Sequence, residues 1–172
     1  MEWDAQFSRF VREYTDNLYR TAYALVGEPA AAADLVQETL TRLYPTWLRM
    51  QATDSAPAYV RKALVNRFLS EQRRRRAHEV VQSRVPDHGR DEAGFARFEG
   101  ADAFGRALAE LPPRQRAAIV LRYLYDLDDR RAAAELGCLV PTVRSLIRRA
   151  LITLRTADGV TSSTAYDLGS GR

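Results

Sequence analysis

Along the first quarter of the chain Trp3, Phe7, Phe10, Tyr14, Leu18, Ala22 and Leu25 recur every three or four positions. That is the period of an amphipathic helix, and it ends at "GEP", Gly27 to Pro29. A second apolar run predicts a helix from about Ala30 to Trp47, disturbed at Pro45, and a third helix should run from Ser55 or Pro57 to Arg76. Residues 81–100, "VQSRVPDHGRDEAGFARFEG", hold Pro, three glycines and mixed charge without clear periodicity, the composition of a flexible linker. Helical pattern resumes near Ala101, breaks at "LPP" and continues through "RQRAAIVLRYLYDL". Residues 159–172, "GVTSSTAYDLGSGR", read as a disordered tail. No strand pattern and no internal repeat is present. The expected fold is all-α: small helical domains at 1–80 and 101–158 joined by a flexible linker at 81–100.

Within the second domain, "ELGCLVPTVRSLIRRAL" from Glu135 is a stop followed by a start. Gly137 can take the left-handed conformation that ends a helix, and Pro141 suits the first turn of the next, where its missing N–H costs nothing. Upstream, Asp128 is a natural N-cap for a short helix through "DRRAAAEL". On the following helix Val143, Leu146, Ile147, Ala150 and Leu154 share one side, while Arg144, Ser145, Arg148 and Arg149 share the other. Ala132 and Ala133 let the two helices cross closely, with Leu136 and Cys138 filling the angle. This is a helix-turn-helix pattern, whose second helix enters a DNA major groove.

Charge changes the picture only locally. The 172 residues carry 26 Lys+Arg against 22 Asp+Glu, a net charge of +4, so affinity for nucleic acid must come from placement rather than excess. Only Lys62 is lysine, and arginine suits bidentate contacts to guanine and phosphate. Cys138, the single cysteine, excludes an intrachain disulfide and a cysteine-based zinc cluster, and it is expected to be a small buried hydrophobe. The N-terminus is acidic and amphipathic and no apolar run is long enough to span a membrane, so a cytoplasmic protein is expected.

Two polar stripes interrupt the first domain. In the second helix Asp34, Gln37, Glu38 and Thr41 lie opposite Val36, Leu40, Leu43 and Trp47. By itself this is a solvated surface. In the third helix Tyr59, Lys62, Asn66, Ser70 and Arg73 follow at steps of three or four and lead into the run Arg73 to Arg76. Cations can hold phosphates, an amide can bond a base edge and a tyrosine can stack on an unpaired base, whereas an arginine-rich helix end alone would explain only the cations.

"DLVQETLTRLYPTW" from Asp34, "AYVRKALVNRFLSEQRRRR" from Ala58 and "LAELPPRQRAAIVLRYLYDL" from Leu108, followed by "AAELGCLVPTVRSLIRRALITLR", resemble the extracytoplasmic-function sigma factors of bacterial RNA polymerase. The resemblance implies that the first domain is like sigma region two: Asp34, Gln37 and Glu38 would dock on core polymerase, and Tyr59, Lys62, Asn66, Ser70 and Arg73 would meet the minus-ten element. The second domain would be like region four, with Thr142, Arg144, Ser145, Arg148 and Arg149 on the minus-thirty-five element and Arg114 and Arg122 near phosphate or polymerase. Core RNA polymerase and promoter DNA are the implied partners, with room for an anti-sigma factor, and neither a cofactor nor a metal is implied. Departures from the family pattern are Ala33 in place of an acid, Ser70 in place of aspartate, Tyr59-Val60 in place of Trp-Leu, Leu139 and Pro141 in the turn, and Leu146 in place of a polar residue. Those in the turn bear on which bases are read.

A stand-alone helix-turn-helix regulator would explain the second domain equally well, but not the Tyr59-to-Arg73 stripe or "DLVQE". An enzyme is a weak rival: His78 and His88, with Asp87 and Glu92, lack the spacing of a metal site on a helix, and no phosphate-binding glycine loop occurs. An all-helical adaptor leaves arginine on two separate faces without a purpose.

Overall fold

A computed structural model describes residues 2–50, 56–82 and 101–158. The order of elements is α1 (Glu2–Val26), α2 (Pro29–Leu43), a 3-10 turn (Tyr44–Thr46), α3 (Trp47–Met50), α4 (Ala56–Gln82), α5 (Ala101–Ala109), α6 (Pro113–Ile119) with a π turn (Val120–Leu124), α7 (Asp129–Leu136) and α8 (Val140–Asp158). The described residues contain no strand. The expected second helix is therefore divided, and Pro45 sits inside the 3-10 turn that divides it. The expected third helix continues past Arg76 to Gln82, two residues beyond the boundary set for the first domain. The expected linker (from residue 83 on) and tail lie outside the described residues.

Local chemistry explains the helix ends. Gly27 (φ 75°) closes α1 in the left-handed region, its N–H donating to Tyr23 O at 2.8 Å. The Glu28 carboxylate then caps α2, accepting from the amides of Ala30 and Ala31 at 2.9 and 2.7 Å. Asp128 caps α7 as expected, accepting from Arg131 N at 2.8 Å, and Gly137 (φ 60°) ends it. A Cβ at Gly137 would meet nothing within 4 Å, so only backbone strain opposes a side chain there. Gly137→Ala should accordingly cost about 1–2 kcal/mol, read as a lower urea midpoint at unchanged m-value.

Packing does not respect the division into two domains. Phe10, Leu18, Leu25, Leu35, Leu64 and Phe68 of the first unit are buried in one continuous cluster with Ala117, Val120, Leu121, Leu136 and Val143 of the second. A smaller cluster of Leu108, Leu111, Ile119 and Ala150 joins α5 and α6 to α8. Helix α1 touches α5, α6 and the π turn, while α4 touches α6 and α7. Cys138 is half-buried rather than buried, packed against the cluster that holds Ala132, Ala133, Leu136 and Val143.

Candidate nucleic-acid and polymerase interfaces

In the second unit, α7 and α8 form the expected helix-turn-helix. Ala132 and Ala133 are buried at the crossing, and Val143 and Ala150 are buried on α8. Leu146, Ile147 and Leu154 are half-buried, so the apolar side of α8 faces the protein. Thr142, Arg144, Arg148 and Arg149 are exposed, whereas Ser145 is half-buried. Arg144 is not free: its Nε donates to Asp129 Oδ2 at 2.7 Å, which holds it against α7 at the flank of the face. A cleft of about 340 Å³ runs beside it, lined by Arg122, Arg144, Arg148 and Arg155 around Asp129. Four guanidinium groups on one concave surface suit a phosphate backbone. Arg155 was not picked out in the sequence, although it extends the same helix face about two turns beyond Arg148.

Arg122 donates to Leu127 O at 3.0 Å and lies 4.0 Å from Asp126, so part of its role is to hold the bend where Asp126 takes φ 50°. Arg114 is exposed at a cleft of about 220 Å³ shared with Arg73 and Arg76 of α4. Cations from both units thus converge at that junction.

In the first unit, Asp34, Gln37, Glu38 and Thr41 are all exposed on α2. On α4, Tyr59 is 49% exposed, Lys62, Asn66 and Arg73 are exposed, and Ser70 is half-buried and accepts from Arg73 Nη2 at 3.0 Å. The two stripes meet through the Arg67–Glu38 ion pair. Beside it a cleft of about 220 Å³ is lined by Thr39, Arg42, Asn66, Arg67, Ser70 and Arg74. Arg42 and Arg67 were not among the residues read from the sequence, whereas Arg74 belongs to the run Arg73 to Arg76.

Six further polar residues were missed because they have partners distant in sequence. Arg61 on α4 makes a two-pronged ion pair with Glu135 on α7, with both side chains nearly buried, and its guanidinium lies 4.6 Å from the centre of the Tyr125 ring. The Tyr125 hydroxyl donates to Asn17 Oδ1 at 2.8 Å and lies 2.5 Å from Thr21 Oγ1. Burial pushes the Tyr125 phenol above its usual pKa, against the opposing effects of Thr21 and Arg61, so it remains a donor at neutral pH. Arg116 donates to Leu25 O, Ala109 O and Leu111 O at 2.5, 2.7 and 2.9 Å, satisfying the carbonyl ends of α1 and α5 together.

Among the described residues, an all-helical fold with a helix-turn-helix whose second helix has an arginine-rich outer face, and a further aromatic-and-cationic helix stripe, has the form of a DNA-binding protein. Its sequence relatives narrow this. Residues 10–78 match the Sigma-70 region 2 family and residues 101–154 match Sigma-70, region 4. The RNA polymerase sigma-E factor of Streptomyces coelicolor is 34% identical over 150 residues, covering 87% of this chain and 84% of that protein. The ECF RNA polymerase sigma factor SigE of Mycolicibacterium smegmatis is 34% identical over 160 residues, covering 89% of this chain and 60% of that protein. Among solved structures, the sigma factor RpoE in complex with the anti-sigma factor NepR from Bartonella quintana superposes with a TM-score of 0.67 at 25% identity, over 91% of this chain and 99% of that one. The chain belongs to the extracytoplasmic-function sigma factors of the sigma-70 type, which makes it an alternative sigma factor rather than a stand-alone regulator.

Proposed function

We propose that the region-two-like unit docks on core polymerase through Asp34, Gln37 and Glu38 and meets the minus-ten strand through Tyr59, Lys62, Asn66, Ser70 and Arg73. The region-four-like unit reads the minus-thirty-five element through Thr142, Arg144, Ser145, Arg148 and Arg149. The division is 1–80 and 101–158 around a linker at 81–100, into which α4 carries the first unit by two residues, with a tail at 159–172. The observation that supports these roles most is that both promoter stripes and the docking stripe lie on outward surface even though the two units bury so much against one another. Arg155 joins the phosphate-facing set, and Arg42, Arg67 and Arg74 join the minus-ten set through the cleft they share with Asn66.

No catalytic role is assigned, in keeping with a factor that positions a polymerase. Among the described residues no helix is long and apolar enough to cross a membrane, and we place the protein in the cytoplasm, where the polymerase is. An anti-sigma factor is a fitting further partner, since the similar RpoE was solved with one.

Core-dependence tests the reading. A gel shift on a cognate promoter should need core polymerase, and Asp34→Arg should weaken core binding about tenfold by opposing like charge while leaving helicity intact. Asp34 is the better probe than Glu38, because losing Glu38 also strands Arg67. A shift of equal strength without core enzyme would return the chain to the regulator reading.

A further inference from the structure

We propose that Leu139 selects thymine in the minus-thirty-five element through the C5 methyl group, an inference that rests on the proposed role of the region-four-like unit. Leu139 stands in the turn between α7 and α8 and is 75% exposed, more than any other leucine among the described residues. A single exposed apolar side chain is ordinary on a protein surface. This one is distinguished by how firmly its backbone is held and by how little its side chain gives the fold. The Cys138 amide donates to Ala133 O at 3.0 Å, closing α7, and Leu139 O accepts from the amides of Thr142 and Val143 at 2.9 and 3.2 Å, opening α8. Leu139 is therefore the N-cap residue of α8, where Ser, Thr, Asp and Asn are preferred because their side chains accept from the first turn. Pro141 removes one N–H that such a side chain would serve, and the Leu139 carbonyl already takes the Thr142 N–H. The helix start is thus satisfied without a polar side chain, and the position is free to carry a group whose partner lies outside the chain.

The chemistry of the groove identifies that partner. The N-terminal residues of a recognition helix lie against base edges, and Leu139 precedes the exposed Thr142 by three positions, so the two are neighbours at that end of α8. In the major groove the apolar group on a base edge is the thymine C5 methyl, while the other bases present donors and acceptors. An apolar side chain set against those polar edges removes their water without replacing its hydrogen bonds. Leu139 therefore favours thymine by contact and disfavours the other bases by leaving them unpaired with solvent. Arg148 lies nine residues further along α8, about 13 Å at about 1.5 Å per residue, so the thymine belongs to a different base pair from the one Arg148 meets.

Deletion of single methyl groups from the DNA tests this. A promoter taken from the pool that the parent holoenzyme selects is remade with each thymine of its minus-thirty-five element replaced in turn by deoxyuridine, which keeps every hydrogen-bonding atom. The parent holoenzyme should lose about fourfold in affinity at one of these positions, the worth of one buried methyl group. Leu139→Ala holoenzyme should bind the thymine promoter about fourfold more weakly than the parent and should not distinguish thymine from uracil at that position. Because the side chain is exposed, the variant should match the parent in circular dichroism and in affinity for core polymerase. A parent indifferent to every uracil would overturn the proposal, as would a selected element without thymine or a Leu139→Ala chain that keeps the parent's uracil penalty. Weaker core binding by Leu139→Ala with that penalty intact would assign the side chain to polymerase instead. Scrambling the whole element separates this failure from that of the underlying reading: indifference to scrambling removes both, whereas sensitivity to scrambling with indifference to uracil removes the thymine contact alone.

Discussion

Phe68→Ala is expected to lower the free energy of unfolding by about 3–5 kcal/mol, a large share of the 5–15 kcal/mol that holds an ordinary domain together. Phe68 is 1% exposed on α4 and belongs to the cluster shared by both units. Truncation removes its transfer free energy and leaves a cavity that the rigid α1, α4 and α6 cannot fill by collapse. It also takes away the ring 5.8 Å beneath the Arg116 guanidinium, the group that satisfies three carbonyls at the ends of α1 and α5. Phe68→Leu keeps most of the volume and should cost under half as much. Urea unfolding followed by circular dichroism separates the two variants, and a loss below about 1 kcal/mol for Phe68→Ala would mean that the ring is not packed as described.

That ring also marks the boundary of what the sequence made legible. The helices of the first unit, the caps at Asp128 and Gly137 and the apolar side of α8 were readable, because each depends on residues three or four positions apart or on a single cap. A disturbance at Pro45 was readable from the proline itself, but not that it would end α2 at Leu43 and divide the expected helix. The docking of the units on one another was not. Arg61, Glu135, Tyr125 and Arg116 look like solvated surface when their partners lie dozens of residues away, and no periodicity distinguishes a charge that meets water from one that meets an opposite charge across an interface. The Asp129–Arg144 and Glu38–Arg67 pairs were hidden likewise. Each draws a cation from a stripe's neighbourhood into a fixed position, and so each affects what the stripe can reach.

The fixed position of Arg144 sharpens what Arg148 should do. Arg148→Ala is expected to flatten base preference at one position of the minus-thirty-five element, losing about 1–3 kcal/mol of discrimination, roughly ten- to a hundredfold. Arg148 is exposed on α8, on the side away from the buried Val143, where a helix seated in the major groove meets base edges. Arg144 is drawn aside to Asp129, 2.7 Å away, at the flank of the face, which suits phosphate, and it is this ion pair rather than the cleft it shares with Arg122, Arg148 and Arg155 that distinguishes it. A lost phosphate contact weakens all sequences alike and reduces the salt slope by about one, so Arg144→Ala should lower affinity without changing which promoter is chosen. Asp129→Asn provides the control, since it releases Arg144 while keeping its charge. The exposed Leu139 and Pro141 alter the turn that sets the angle of α8, and a rotation there would move Arg149 toward the bases in place of Arg148. Selection from a pool of promoters randomised at the minus-thirty-five element, using each mutant holoenzyme, decides between them. Unchanged preference in Arg148→Ala with a flattened one in Arg149→Ala would transfer the reading role to Arg149.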